Sequence, residues 1–333
     1  MQLRTTMRAG ILLAGIGLMI SPLGRTQSTG GPSAAGAQLP AAPAQPAVPA
    51  PITFPAPIPT NFTADTPTVE TVNAFLKASW GFDPNRVWQV EAILKTTVPG
   101  LSKVLVAVGE KGSSQGPGNL QFFVLPDGRH LIADEVLPFG AHPFEENRRM
   151  LLERAAGPSR GGAGKDLLFV EFSDFQCPHC KEAQASVDKL LTDFPTAHFV
   201  YENLPLVSIH SEAYKAAAYS VCVAKIGGDA TFFKFANEVF ANQAFLIPEA
   251  SEKTLKDAAT KAGVDAEKTA ACSTTPAAKA AVDASLKLAA DLGVNSTPTL
   301  FVNGRAVPLG GPYEQLKTVV SYQMTMDGAP AAH

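Results

Sequence analysis

Cys177-Pro178-His179-Cys180 stands between an apolar run, residues 167–172, and a stretch with helical spacing, residues 181–191. That order dictates a strand feeding directly into a helix, with two thiols in the helix's first turn. Proline suits this turn because its missing N–H is one of the donors a helix start leaves without a partner. The remaining orphan N–H groups and the macrodipole favour a thiolate over a thiol at Cys177. Since the thiolate is the nucleophile, its pKa sets reactivity. Cys180 follows one turn later on the same face, placed to close a disulfide and expel a partner thiol. His179 brings a ring that can donate to the sulfur or, when protonated, attract it. Spacing alone leaves two other readings open, half of a zinc site and an inert staple.

A second segment bears on the choice. At Thr297-Pro298-Thr299-Leu300-Phe301-Val302-Asn303-Gly304 a Thr-Pro pair leads into a short strand of β-branched and aromatic residues that ends in an Asn-Gly turn. X-Pro is the one peptide bond for which cis is cheap. Taken singly, Pro298 is a trans residue before an ordinary strand, and Glu171, six residues before Cys177, an acid on a solvated face.

Taken together, the Cys177–Cys180 quartet and the Thr297-Pro298 strand resemble the thioredoxin superfamily, in particular the DsbA-like branch of periplasmic thiol oxidoreductases. The resemblance implies an α/β thioredoxin fold with a helical insertion over residues 165–327. It also implies a cis-proline loop at Thr297 and Pro298 that packs on the active disulfide and offers backbone groups to an extended peptide. It assigns Cys177, Pro178, His179 and Cys180 to the redox centre. Glu171 becomes the buried acid beneath it, able to take the proton of Cys180 as a mixed disulfide resolves. No cofactor is implied, because the two sulfurs carry both electrons.

Thioredoxin itself needs about one helix where this chain has a long helical stretch, and that stretch makes the likeness DsbA-like. Within it, residues 213–224 and 231–240 have helical apolar spacing. The stripe Phe232, Phe233, Phe235, Phe240, Phe245 is expected to be core. Two further cysteines, Cys222 and Cys272, fall here; four cysteines permit three pairings, and a four-thiolate zinc site competes. Some DsbA-like proteins carry a second disulfide tying two helices of the insert, and these positions are similar. Of the six histidines, His130, His142 and His198 lack ligand spacing, and His210 is expected to cap a helix or lie at the surface.

Upstream the chain divides by composition. Arg4 and Arg8 precede an apolar run, residues 9–20, shorter than the roughly twenty residues that span a bilayer. Residues 1–27 are therefore expected to be a secretory signal peptide, and export to the periplasm implies an oxidising compartment. Residues 28–65 are rich in Pro and Ala with little charge, which predicts a disordered tether. Residues 66–156 have one helical face followed by strand-like runs, the last two flanking Pro126-Asp127-Gly128-Arg129; this predicts a small α+β domain, preceding a glycine-rich hinge at 157–164. The domain is similar to the N-terminal domain of the DsbC and DsbG isomerases, which implies a homodimer and a peptide-holding cleft.

The expected function is an exported thiol-disulfide oxidoreductase that introduces disulfides into reduced or unfolded exported polypeptides, re-oxidised or reduced by a DsbB-like or DsbD-like membrane partner. A dimeric isomerase or reductase, and a non-catalytic peptide-binding chaperone, remain alternatives. A net charge of −3 over 333 residues is too mild to point to nucleic acid.

Overall fold

The computed structural model describes residues 52–113 and 115–328; the expected signal peptide and most of the tether lie outside them. The chain divides into two compact units, one of Asp83–Leu137 with the chain up to Asn73, the other of Ala74–Phe82 with the chain from Pro138.

The first unit is a five-stranded sheet in sequential order: β1 (Arg86–Lys95), β2 (Ser102–Glu110), β3 (Gly118–Val124), β4 (His130–Ile132) and β5 (Val136–Pro138). Alternation buries Val104, Val106, Phe122 and Val124 on one face. The turn between β3 and β4 forms because Asp127 Oδ1 accepts the N–H groups of Arg129 and His130, at 2.9 and 3.1 Å, while Gly128 takes φ +65°. Helix α1 (Val69–Trp80) starts after Thr68, whose Oγ1 accepts Thr71 N–H at 3.2 Å. Thr66, just upstream, is joined to Pro67 through a cis bond. Residues 52–65 are not free tether: Thr63 and Ala64 both donate to Ile93 O, at 2.9 and 3.1 Å, and Gln89 Nε2 donates to Pro55 O at 2.5 Å. Composition predicted disorder there because a Pro-rich segment lacks apolar bulk, but β1's edge supplies hydrogen bonds.

The second unit is built on a mixed sheet in which β10 (Arg305–Pro308), β9 (Thr299–Val302), β7 (Leu168–Ser173), β8 (His198–Asn203) and β6 (Ser159–Gly161) lie side by side. β7 and β8 are parallel, and the other pairings are antiparallel. Every residue of central β7 is buried, which is why its sequence is mostly apolar rather than alternating and why even Glu171 lies inside. Phe169 joins the core beneath α3 (Pro178–Asp193), whereas Leu168, Val170 and Phe172 pack with Leu151 and Leu288 on the opposite face. Five helices intervene between β8 and β9: α4 (Ala213–Gly227), α5 (Asp229–Ala241), α6 (Ser251–Ala262), α7 (Ala266–Ser273) and α8 (Pro276–Asp291). The final helix, α9 (Tyr313–Met326), follows β10.

The phenylalanine stripe is largely core. Phe232, Phe235 and Phe240 are buried, and all three ring-pack on Phe175, each such pair adding about 0.5–1.5 kcal/mol beyond area burial. Phe245 is the exception, at 58 % exposure.

Two boundaries depart from expectation. The glycine-rich segment 157–164 is not a hinge, because β6 lies within it, antiparallel to β8. A Cβ on Gly157, Gly161 or Gly162 would collide with the carbonyl of Tyr201, Ala197 or Thr196 respectively. These glycines permit close backbone approach rather than motion. The second unit also begins well before Lys165. Leu151 of α2 (Glu145–Arg154) is in its core, and Arg305 donates to the carbonyl groups of Ala78 and, at 3.0 Å, Ser79 at the end of α1. Long-range burial of this kind leaves no local mark on composition.

Candidate active site

β7 ends at Ser173, and a tight turn carries the chain to Cys177, the N-cap of α3, at φ −73°, ψ 119°. Pro178 occupies the first turn, and the Cys177 carbonyl accepts the N–H of Cys180 at 3.1 Å. Both sulfurs are free thiols; Cys177 is 5 % exposed and Cys180 wholly buried. Opposite them the Thr297–Pro298 bond is cis, and the S–H of Cys177 donates to Thr297 O at 3.5 Å.

The environments of the two sulfurs push them apart. Cys177 is drawn down to about 5, foremost because the Cys180 side chain donates to its thiolate; burial opposes this, while the side chain of Thr297 and the backbone N–H groups of Cys180 and His179 add to it. Cys180 is raised, first by burial and then by the same contact with Cys177. One sulfur is thus held ready as a thiolate while its partner stays protonated.

His179 acts differently from expectation. Its ring is largely exposed and turned to Glu182, Nδ1 to Oε2 at 3.1 Å, so its help to the thiolate comes through the main-chain N–H. In the first turn of a helix the backbone N–H points along the axis while the side chain points outward, where the residue three places on can capture it.

Glu171 lies on β7, in register with Tyr201 of β8 and Leu300 of β9, and is completely buried. Burial raises its pKa to about 7, and the Gln184 amide, donating to Oε1 at 3.2 Å, offsets only part of that. Gln184 also donates to the Cys180 carbonyl at 3.1 Å, linking the acid to the buried cysteine's helix turn.

Sequence reasoning missed the residues that hold the turn. Asp174 donates through its N–H to Cys180 Sγ at 3.4 Å and accepts Cys177 N–H at 3.1 Å. Gln243, from the short helical turn after α5, donates to the carbonyls of Phe175 and Cys177 at 2.8 and 2.9 Å. Gln243 carries no sequence signal, since it reaches the site only by tertiary packing. Cys222 of α4 and Cys272 of α7 are joined as a disulfide, within the helical insert.

A dithiol at the start of α3 and a cis-proline facing it stand on a mixed sheet whose β8 and β9 are separated by five helices, the arrangement of a thioredoxin fold with a helical insertion. Residues 158–321 match the thioredoxin family model. The chain is also similar to part of the Na(+)/H(+) antiporter NhaA 3 of Salinispora tropica, 32% identical over 46% of this chain and 22% of that protein. With NhaA 1 of Salinispora arenicola the identity is 33%, over 44% of this chain and 21% of that one. The chain therefore spans about a fifth of the length of these curated relatives. Among solved structures it is similar to oxidised BdbD from Bacillus subtilis, at TM-score 0.46 and 21% identity over 51% of this chain and 93% of that one. The catalytic domain of Proteus mirabilis ScsC is similar at TM-score 0.45 and 22% identity, over 54% and 98% of the two chains.

Proposed function

We propose that this chain is an extracytoplasmic thiol:disulfide oxidoreductase that oxidises cysteine pairs in reduced, extended polypeptides. The observation that carries the reading is the split between the sulfurs: a thiolate-favouring Cys177 faces the Thr297 carbonyl beside a cis-proline, above a fully buried Cys180. The Cys222–Cys272 disulfide supports an oxidising compartment, since such bonds do not persist against a reducing pool.

In the cycle, a substrate thiolate attacks Cys177 Sγ of the oxidised enzyme. The Cys177–Cys180 bond breaks, and Cys180 leaves with the electron pair as a thiolate. Burial disfavours that charge, so Cys180 takes a proton, which Glu171, poised near neutrality by burial, is suited to supply and in the reverse direction to accept. A second substrate thiolate then attacks the substrate sulfur of the mixed disulfide, and Cys177 leaves as a stabilised thiolate. Substrate loses two electrons and the enzyme gains them. A leaving group of low pKa drives the exchange toward substrate oxidation. The reduced enzyme then requires a membrane redox partner, and the first unit is read as a dimerising or substrate-holding module.

The test is the resting redox state of Cys177 and Cys180, trapped by acid and alkylation in producing cells. An oxidase rests oxidised; a predominantly reduced pair supports the isomerase or reductase alternative.

A further inference from the structure

Asp174 takes no part in the exchange chemistry, yet its main chain touches both halves of the dithiol. Its N–H lies 3.4 Å from Cys180 Sγ, and its carbonyl accepts Cys177 N–H at 3.1 Å. What fixes that main chain is the side chain, a carboxyl with no solvent exposure. A buried carboxyl is tolerated only when its oxygens are well supplied with donors. Here Oδ1 accepts Gln176 N–H at 2.7 Å, while Oδ2 accepts Leu206 N–H and the His210 ring Nδ1, both at 2.8 Å. Gln176 belongs to the same turn. The anchors from outside it are the segment after β8, through Leu206, and a single side chain, His210, whose main-chain N–H also returns to Leu206 O at 2.9 Å.

We infer that His210 is a positioning residue for the dithiol: through the Asp174 carboxyl it holds the turn so that the Asp174 N–H stays on Cys180 Sγ and the two sulfurs remain aligned. The inference rests on the redox reading of Cys177 and Cys180. The physical chain is short. Cys180 can donate to a Cys177 thiolate only while its own sulfur is held, and a main-chain N–H directed at that sulfur holds it. Without the ring, Oδ2 keeps one donor, and the buried carboxyl is under-supplied where it stands and is free to shift the turn. Nδ1 carries a proton both in the charged ring and in one neutral tautomer, so the contact does not require a charged histidine.

The experiment compares the full-length reduced chain with His210→Leu and His210→Asn, since an asparagine amide carries a donor close to where ring Nδ1 stands. The readouts are the pH profile of Cys177 alkylation and the equilibrium potential against glutathione. In His210→Leu the midpoint is expected to rise, with alkylation below it slowing roughly threefold for each half unit; the potential should become more reducing. His210→Asn should restore both. A loss of packing alone would lower thermal stability but leave these two readouts in place. Unchanged profiles in His210→Leu, or an Asn variant shifted as far as the Leu variant, overturn the inference. Should His210→Leu not fold, Asp174→Asn, which replaces one of the two oxygens, is expected to raise the midpoint as well, and an unaltered profile there overturns it too. If Cys177 of the unaltered chain shows no preference over Cys180, the redox reading itself fails, whatever the variants do.

Discussion

The S–H of Cys177 donates to the main-chain carbonyl of Thr297 across 3.5 Å, and Thr297 is joined through a cis bond to Pro298. Once Cys177 ionises or enters a mixed disulfide it has no proton to give, and that carbonyl is released to accept an N–H from a bound chain. The contact therefore ties the protonation state of Cys177 to the main chain beside Pro298, the loop proposed to hold an extended substrate.

The unequal sulfurs lead to a first expectation. Iodoacetamide should label Cys177 of the reduced chain with a midpoint near 5, far below an ordinary thiol, while Cys180 stays slow. Cys177→Ser should abolish insulin reduction, and Cys180→Ser should accumulate mixed disulfides because the resolving sulfur is gone. Equal labelling of the two thiols removes the assignment.

Glu171 should make stability depend on pH in an unusual direction for a carboxyl. Its folded-state pKa is raised from 4.5 to about 7, so the folded chain holds a proton that the unfolded chain has already released. Its contribution is complete below 4.5 and lost as pH rises through about 7. Glu171→Gln, neutral throughout, should therefore gain stability relative to the unaltered chain across that window while slowing resolution of mixed disulfides. Denaturant titrations at several pH values check the first part and stopped-flow exchange the second. A stability difference independent of pH would show that Glu171 does not titrate there.

Cys222 and Cys272 close a loop with a sequence separation of 50, and the cross-link should contribute about 2–4 kcal/mol by restricting the unfolded chain. Changing both to Ala should lower the melting temperature and leave thiol exchange nearly intact, because the bond ties α4 to α7 within the helical insert rather than holding the dithiol turn itself. A large loss of exchange activity would instead join this disulfide to the active site.

A chain truncated to begin at Lys165 loses β6 and α2, hence an edge strand of the central sheet and the buried Leu151. It should be markedly less stable than the full chain, with β8 as a new exposed edge prone to aggregation. Light scattering of the full-length chain tests the proposed dimer separately. A monomer at tens of micromolar would remove the isomerase-like alternative.

The sequence by itself determined the strand, the helix and the two thiols between them, because adjacency in the chain is enough: an apolar run of strand length, a proline in a first helical turn and a cysteine one turn later specify their own geometry. The Asn303-Gly304 turn was legible for the same reason, both residues taking positive φ, 47° and 87°. Only the tertiary structure decided which groups surround those thiols. His210 and Gln243 converge on the turn and its Asp174 from separate segments, and a buried carboxyl or an amide bonded to a distant carbonyl leaves no periodic trace. Gly157, Gly161 and Gly162 show the same limit from the other side. In sequence a glycine cluster cannot reveal whether it serves motion or close approach, and it was the carbonyls of Thr196, Ala197 and Tyr201, packed against these positions, that decided for close approach.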